Sequence, residues 1–231
     1  MKKAKGKLIV IDGTDGSGKA TQVKLLVERL KRQKVPVKAI DFPRYYDNFF
    51  GRLIGECLAG IHGDFIAVDP KIASVLYAAD RWESSKDIKD WIDKGYVVIV
   101  DRYASSSQIH QGGKIHNAKE RKEFLGWLDQ LEYKTFKIPK PNAIIFLDVP
   151  IKVTQELLKA KTLASKKKYL EGKGDQAEND PKHLEQARKS AQKMVAESNN
   201  WYRVDCAPQG ALLSREEIND MIYKEVKKIL K

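Results

Sequence analysis

Cysteine is scarce in this chain: only Cys57 and Cys206 occur among 231 residues, and their spacing fits no metal-binding motif. This scarcity excludes a disulfide-rich scaffold and a cysteine-based zinc site, and it favours free thiols in a reducing compartment. Long apolar runs are missing too. The run at residues 8–11 is too short for a signal-peptide core, and nothing approaches the roughly 20 apolar residues of a membrane span. We therefore expect a cytoplasmic protein with no membrane segment.

Negative charge is in deficit, with 31 acidic against 43 basic side chains and a formal net charge of +12. Such an excess is typical of a nucleic-acid binder or of a protein whose ligands carry several phosphates. Charge alone does not separate these two classes. The length of 231 residues and the 42% hydrophobic content suit one α/β domain across residues 1–231.

Five short apolar runs alternate with helical patterns along the chain: KLIVID, VPVKAIDF, YVVIVDR, NAIIFLDVP and WYRVDC. Continuous apolar runs separated by helices are typical of a parallel sheet that is covered on both faces. The sequence therefore predicts a doubly wound, five-stranded α/β fold. Ligands of such sheets bind at the carboxyl ends of the strands. The residues that end or follow these runs are Gly13, Phe42, Asp101, Asp148 and Asp205.

The stretch GTDGSGKA, residues 13–20, follows the first run and precedes a helical pattern. It has the Gly-x4-Gly-Lys spacing of a phosphate-binding loop, in which glycines let backbone N–H groups converge on phosphate oxygens. Lys19 would reach the terminal phosphates. The strand-loop-helix context favours a nucleotide site over a merely structural glycine-rich turn.

The last position of this loop departs from the usual pattern. Ala20 stands where a hydroxyl normally holds Mg2+, and Thr21 cannot replace it because the next helical residue points about 100° away. Mg2+ accepts water ligands and needs only one or two carboxylates, so we expect the metal to be retained. Asp101 suits the acidic partner of that metal, and the adjacent Arg102 can hold a second phosphate. A structural ion pair at the strand end is the alternative for these two residues.

The stretch DPKIASVLYAADRW predicts a helix with Asp69 as N-cap and Pro70 as its first residue. Its predicted apolar stripe consists of Ile72, Val75, Leu76 and Ala79. Tyr77 and Arg81 then share a nearly opposite face, where they could stack on and hydrogen-bond a base. Spacing alone favours an ordinary exposed face.

Residues 159–193 differ in composition from the rest of the chain, because they are rich in Lys, poor in large apolar side chains, and interrupted by Gly172, Gly174 and Pro181. A solvated helical hairpin explains this composition. A mobile basic lid over phosphates explains it as well.

Taken together, these motifs resemble the thymidylate kinase family, whose members phosphorylate dTMP with ATP. The matching pieces, in the family's order, are GTDGSGKATQ, DFPRY, LYAADR, DRYASSSQIHQG and LDVP, followed by the basic segment. The resemblance implies a P-loop nucleoside monophosphate kinase fold with a helical lid, Mg2+ as cofactor and a homodimer. The alternatives are a related kinase with another monophosphate or deoxynucleoside acceptor, and a nucleotide-dependent nucleic-acid-binding protein. We expect no nucleic-acid partner, because the basic segment accounts for much of the positive charge.

The resemblance also implies roles for individual residues. The implied ATP-binding residues are Gly13, Gly16, Ser17, Gly18, Lys19, Ala20 and Thr21. Asp15 would face the sugar 3′-hydroxyl of dTMP and, with Asp101, help to hold Mg2+. Arg44 and Arg102 would hold the dTMP phosphate.

The implied base and sugar contacts come from three further motifs. Tyr77 would stack on thymine and Arg81 would donate to its O4. Further pocket residues are Phe42, Pro43, Ser106, Ser107, His110 and Gln111. His110 stands where a Tyr near the sugar 2′ edge is usual, and Ser107 stands where an Asn or Thr often contacts the base.

Gly16 implies where the catalytic cations lie. Some family members carry an Arg at this position that contacts the transferred phosphoryl group, whereas others supply cations from the lid. This chain matches the second kind, so the candidate catalytic lysines are Lys166, Lys167, Lys168 and Lys173.

Overall fold

A computed structural model describes residues 5–164 and 180–231 of the chain, with side chains placed up to residue 159 in the first range. Five strands form one parallel sheet in the order β2-β3-β1-β4-β5. They are β1 (Lys7–Asp12), β2 (Val37–Asp41), β3 (Val97–Asp101), β4 (Ala143–Asp148) and β5 (Trp201–Asp205). All five predicted runs are therefore confirmed as strands, and the carboxyl ends of β1, β3 and β4 lie side by side.

Nine helices flank this sheet in the described part of the chain. They are α1 (Lys19–Arg32), α2 (Phe49–Leu58), α3 (Pro70–Glu83), α4 (Ser85–Asp93), α5 (Ala104–Gly113), α6 (Ala118–Asp129), α7 (Ile151–Ala164), α8 (Pro181–Glu197) and α9 (Arg215–Leu230). A π-helical turn, Gln130–Thr135, directly follows α6.

The central strand β1 buries both of its faces. Leu8 and Val10 pack into one hydrophobic cluster with side chains of α4, α5 and α8, such as Ile109. Ile9 and Ile11 pack into another with side chains of α1 and α9. Burial of each such side chain stabilises the fold by about 1.5 to 3 kcal/mol. Because both faces of β1 are covered, apolar residues are favoured at successive positions, and the run is continuous rather than alternating.

Helix α3 begins as expected but does not bury the expected face. The Asp69 carboxylate accepts hydrogen bonds from the N–H groups of Lys71 and Ile72. The predicted apolar stripe is wrong in part, because Ile72 is 61% exposed and Val75 is 38% exposed. The helix instead buries small and polar residues: Ala73, Ser74, Ala78, Ala79, Asp80 and Arg81. Small side chains allow α3 to pack closely against α2 and α5, and its polar residues thereby reach the cavity described below.

The carboxyl-terminal part of the predicted lid segment includes a packed helix. In α8, Leu184, Ala187 and Ala191 are buried, and the helix lies against α5. The two helices approach so closely that a β-carbon at Gly113 would lie 3.1 Å from the backbone of Gln186.

Candidate active site

The loop between β1 and α1 has the backbone geometry that its glycines predict. Gly16 and Gly18 have φ angles of 80° and 85°, a left-handed conformation that costs glycine little. The Lys19 ammonium is buried and donates to the carbonyl oxygens of Gly13 at 3.0 Å and Thr14 at 2.8 Å. Burial and the neighbouring Arg102 lower the pKa of Lys19 to about 8. The loop thus holds a desolvated cation at the amino end of α1, where an anion would bind.

Two buried polar atoms of the site have no hydrogen-bond partner within the described residues. They are Ser17 Oγ in the loop and Gln111 Oε1 on α5. Because buried polar groups in native proteins are nearly always paired, both atoms are available to a ligand. Ala20 and Thr21, in contrast, are exposed in the first turn of α1.

Asp12, the last residue of β1, is a buried carboxylate that the sequence reasoning missed. It accepts hydrogen bonds from Ser105 Oγ at 2.5 Å, from Ser106 Oγ at 2.9 Å and 3.0 Å, and from the N–H of Gly13 at 2.8 Å. These bonds attach the amino end of α5 to the phosphate loop. Its position at the end of a buried run, like that of Asp101, was the available signal.

Arg102 connects the end of β3 to the loop. Its Nη2 forms an ion pair with the Asp15 carboxylate, so its salt-bridge partner is not the neighbouring Asp101. Burial disfavours the guanidinium charge, but the carboxylates of Asp15, Asp12 and Asp101 together outweigh this effect and the pKa of Arg102 is raised. Arg102 has a φ of 64°, an uncommon backbone conformation for a non-glycine residue that clusters at functional sites.

Two histidines continue this chain of contacts to α8. Arg102 Nη1 lies 3.1 Å from His110 Nε2, and His110 Nδ1 lies 3.2 Å from His183 Nε2. An arginine always donates, so His110 accepts at Nε2 and donates from Nδ1 to His183. The pKa of each histidine is lowered, first by burial and then by positive neighbours, Arg102 for His110 and Lys114 for His183. No local sequence signal marked His183, which lies 73 positions from its partner.

The cavity beside the loop gathers almost every predicted substrate-binding residue. Those that line it are Asp15, Phe42, Pro43, Tyr77, Arg81, Arg102, Ser106, Ser107, His110 and Gln111. The sequence reasoning missed five others, namely Tyr45, Leu58, Phe65, Ile66 and His183. The apolar members lie on α2 and the loop that follows it, where no motif indicated a pocket.

Arg44 is the predicted substrate-binding residue that does not line the cavity. Its guanidinium lies 2.8 Å from the Asp47 carboxylate and 3.7 Å from that of Asp41. Its backbone N–H faces the buried Asp80 carboxylate, which also accepts from Asn48 Nδ2 at 2.9 Å. Asp80 thereby attaches the segment DFPRY to α3.

Tyr77 and Arg81 line the cavity from helix α3. The Tyr77 ring is half-buried, and its centroid lies 6.0 Å from that of Phe65. Arg81 is 2% exposed, so the exposed face that spacing favoured is wrong for this residue. Packing of α3 against α5 turns the guanidinium inward, where Nη2 donates to Ser107 Oγ at 3.0 Å.

The carboxylates near Lys19 are compatible with Mg2+. Asp101 is half-buried at the end of β3, and burial raises its pKa, opposed chiefly by Lys19. No group of three or more His, Cys, Asp or Glu side chains converges within the described residues. Mg2+ needs only one or two carboxylates when phosphates and water complete its coordination, so the chemistry of Asp101 and Asp15 fits this ion.

Gly16 lies directly against α7. A β-carbon at this position would lie 2.6 Å from the carbonyl oxygen of Thr154 and 2.8 Å from Leu158 Cγ. The structure therefore has no room for a side chain at this position. The lid candidates Lys166, Lys167, Lys168 and Lys173 lie outside the described residues.

A parallel sheet of this order, with a phosphate loop after β1 and a cavity beside that loop, defines a P-loop nucleotide kinase. A sequence profile of the thymidylate kinase family matches residues 11–218. The chain belongs to the thymidylate kinase family, as its motifs led us to expect, and is a kinase.

Individual proteins of the family are similar along most of the chain. The thymidylate kinase of Plasmodium falciparum (isolate 3D7) is 30% identical over 229 residues, 98% of this chain and 92% of that protein. The enzyme of Mycobacterium tuberculosis (strain ATCC 25618 / H37Rv) is 31% identical over 150 residues, 64% of this chain and 69% of its own length. The solved structure of thymidylate kinase from Candida albicans, an enzyme of broad substrate specificity, superposes with a TM-score of 0.72 at 25% identity and covers 98% of this chain and 94% of that one.

Within residues 5–164 and 180–231, no helix combines the length and the apolar character that crossing a bilayer requires. Both cysteines are free thiols and are buried.

Proposed function

We propose that this chain transfers the γ-phosphoryl group of ATP to the 5′-phosphate of dTMP, giving dTDP and ADP. The observation that carries this proposal is the convergence of Lys19, Asp15 and Arg102 between a phosphate loop and a base-sized cavity. Lys19 and the phosphate loop suit a phosphoryl donor, and the cavity suits an acceptor that already bears a phosphate. Arg102 lines that cavity and would supply a cation for the acceptor phosphate.

The reaction needs charge neutralisation more than proton transfer. An oxygen of the dTMP phosphate attacks the γ-phosphorus of ATP, the bond from that phosphorus to the β,γ-bridging oxygen breaks, and ADP leaves with the bonding electrons. The attacking phosphate is already ionised near neutral pH, since its second pKa is about 6. Lys19 and Arg102 bring donor and acceptor together despite their like charge. No general base is required.

Asp101 and Asp15 would hold Mg2+ in this scheme. When bound, the ion neutralises charge on the β- and γ-phosphates. Asp15 also fixes the Arg102 guanidinium by their ion pair, and it lines the acceptor cavity, which suits a contact with the sugar. The part of the basic segment that precedes α8 would close over the phosphates and exclude water, with Lys166, Lys167 and Lys168 as the cation donors.

The acceptor base would lie between Tyr77 and Arg81. The half-buried Tyr77 offers an aromatic face, and the buried Arg81 offers a fixed donor. Phe42, Phe65 and Leu58 line the cavity as well and suit an apolar base edge. These features favour thymine over a charged or strongly hydrated group.

A homodimer is part of the proposal. Ile72, Val75 and Trp82 lie on one outward stripe of α3 and are 61%, 38% and 50% exposed. On the neighbouring α2, Phe49 is 62% exposed. An apolar face of this kind on a folded protein marks an interaction surface, and a second copy of the chain would cover it around a two-fold axis. We also retain the cytoplasmic location expected from the sequence as a prediction.

The test of this function is ADP release with ATP and Mg2+ against a panel of dTMP, dUMP, UMP, dCMP, AMP and GMP. We expect dTMP to give the highest kcat/KM. A clear preference for another monophosphate would replace the acceptor while leaving the kinase class intact. Salt-dependent DNA binding without phosphorylation of any acceptor would instead favour the nucleic-acid alternative.

A further inference from the structure

Most N–H groups of the Arg81 guanidinium donate hydrogen bonds to other protein atoms. Nε donates to Glu132 Oε2 at 3.2 Å, and Nη2 donates to Glu132 Oε1 and to Ser107 Oγ. Nη1 donates to the carbonyl oxygen of Tyr103 at 3.3 Å. A guanidinium has five N–H donors, and these contacts occupy four of them. One Nη1–H remains on a side chain that lines the acceptor cavity.

Glu132 is held in place by an unusual backbone segment. It lies in the π-helical turn Gln130–Thr135, and its side chain is completely buried, 51 positions along the chain from Arg81. Within the described residues its carboxylate accepts hydrogen bonds from Arg81 alone. π-helical turns often occur at functional sites, and this one turns a charged side chain inward at the end of an otherwise amphipathic helix.

The ion pair keeps Arg81 charged in a dry environment. Burial alone would lower its pKa, but the Glu132 carboxylate, together with Asp80, more than offsets this effect and the pKa is raised. A buried guanidinium without a partner carries a large desolvation cost, so loss of Glu132 would drive Arg81 towards water or another acceptor. Its orientation in the cavity therefore depends on Glu132.

The contact with Arg81 also makes the Ser107 hydroxyl oxygen a hydrogen-bond acceptor. Its Oγ accepts from Arg81 Nη2, which leaves the hydroxyl proton free to donate to another group. Ser107 also lines the cavity. The cavity wall at this point therefore offers two donors, one from Arg81 and one from Ser107.

We propose that Glu132 is a positioning residue that orients Arg81 so that this wall selects an acceptor base with a carbonyl oxygen at C4 and rejects one with an amino group there. The inference rests on the proposed function, because it assumes that the cavity binds a pyrimidine monophosphate. Thymine and uracil present an acceptor oxygen at C4. The exocyclic amino group of cytosine would face the N–H of Arg81, donor against donor, and both groups would lose a hydrogen bond on leaving water.

Two substitutions and a matched control test the proposal. Glu132→Gln removes the charge and places an amide N–H against Arg81, whereas Glu132→Asp keeps the charge on a shorter side chain. Glu123→Gln, an exposed glutamate on α6, serves as the control. The measurements are kcat and KM for dTMP and dCMP, the KM for ATP, and thermal melting.

We expect Glu132→Gln to raise the KM for dTMP at least tenfold and to reduce the preference for dTMP over dCMP at least tenfold, with kcat and the KM for ATP within about threefold of the parent. Glu132→Asp should retain part of the preference, and Glu123→Gln should match the parent. If Glu132→Gln does not fold, Glu132→Asp alone decides, since it keeps the buried charge.

An unchanged KM and an unchanged preference in a folded Glu132→Asp or Glu132→Gln variant would overturn the proposal. A uniform loss of kcat for both acceptors would also overturn it, because that is the signature of a merely structural role. The parent chain separates this failure from failure of the proposed function. If the parent itself prefers a purine monophosphate, the proposed acceptor is wrong whatever the variants do.

Discussion

Arg102 and Asp15 form an ion pair that joins the end of β3 to the phosphate loop across 87 positions of sequence. The left-handed backbone at Arg102, with a φ of 64°, precedes α5 and brings the guanidinium to Asp15. The pair lies in the cavity wall beside Lys19. The pair therefore lies between Lys19, which would bind the donor phosphates, and the cavity in which Arg102 would bind the acceptor phosphate.

Arg102→Ala should impair use of dTMP much more than use of ATP. Loss of charge-assisted hydrogen bonds of this kind costs about 1.5 to 3 kcal/mol, so kcat/KM for dTMP should fall by about 10-fold to 150-fold. Arg29→Ala is the control, because Arg29 also pairs with an aspartate, Asp220, but on the exposed surface of α1. Unchanged kcat/KM for dTMP in Arg102→Ala would remove this residue from the acceptor site.

Lys19 should make donor binding sensitive to alkaline pH. Its pKa is lowered to about 8 by burial and Arg102, so above pH 8 the free protein increasingly carries a neutral amine that cannot attract phosphate. The kcat/KM for ATP should fall about tenfold per pH unit above 8, while kcat declines only at higher pH because bound phosphates favour the ammonium. Substitution of the exposed Lys24 by Met should leave the profile unchanged. A profile that stays flat to pH 9.5 would contradict this role.

Gly16 should tolerate no side chain because of its contact with α7. Gly16→Ala places a methyl group 2.6 Å from the Thr154 carbonyl oxygen, whereas a β-carbon at Gly18 meets nothing within 4 Å. Both glycines have left-handed φ angles, so Gly18→Ala controls for backbone strain. We expect Gly16→Ala to lose at least tenfold more kcat than Gly18→Ala. Equal losses would show that the contact with α7 does not matter.

The strands and the phosphate loop were predictable because their signals are local. A continuous apolar run such as residues 8–11 and the spacing from Gly13 to Lys19 are complete within a few positions. The polar partners of the site are not local. Glu132 lies 51 positions from Arg81, and His183 lies 73 positions from His110, so only the packing of α3, α5 and α8 brings them together.

Helix α3 shows why its face was mispredicted. The hydrophobic pattern of Ile72 and Val75 predicts burial in a monomer, yet close packing on α2 and α5 selects the small residues Ala73 and Ala78 for the interior. Ile72 and Val75 are left exposed on the outer side of α3, and periodicity alone cannot distinguish such an apolar surface from a core.

Ile72→Arg combined with Val75→Arg should convert the protein to a monomer, because two charges would be buried in the proposed dimer face. Sedimentation equilibrium of the parent should give about twice the chain mass of 26.3 kDa. Leu212→Arg, at an exposed position between β5 and α9, should leave the mass unchanged. A parent that sediments as a monomer at micromolar concentration would rule out the dimer.

Asp148 should contribute to stability at the end of β4. Its buried carboxylate accepts from Arg188 at 2.6 Å, Gln192 at 3.1 Å and Arg203 at 2.6 Å. Asp148→Asn should lower the free energy of unfolding by about 2 kcal/mol, less than a fully buried pair would lose because Arg203 is 45% exposed. Urea unfolding at pH 7 measures this, with Asp205→Asn, an exposed partner of Arg203, as the weaker control.

The Asp148 carboxylate also makes the free energy of unfolding depend on pH. Burial pushes the pKa of Asp148 up, but the hydrogen bonds from Arg188, Gln192 and Arg203 outweigh it and the pKa is lowered. The contribution of Asp148 to the free energy of unfolding is therefore complete above the ordinary pKa of 3.8. It is lost as the pH falls from that value through the lowered pKa of the folded protein. Equal stability of Asp148→Asn and the parent at pH 7 would contradict this account.

Phosphorus NMR of the reaction mixture tests the central claim most directly. With ATP, Mg2+ and dTMP, the signals of dTDP and ADP should grow in equal amounts while those of ATP and dTMP decline, and inorganic phosphate should stay at the level without protein. Lys19→Met should produce neither diphosphate. Release of inorganic phosphate without dTDP, or equal dTDP formation by Lys19→Met, would contradict phosphoryl transfer at this site.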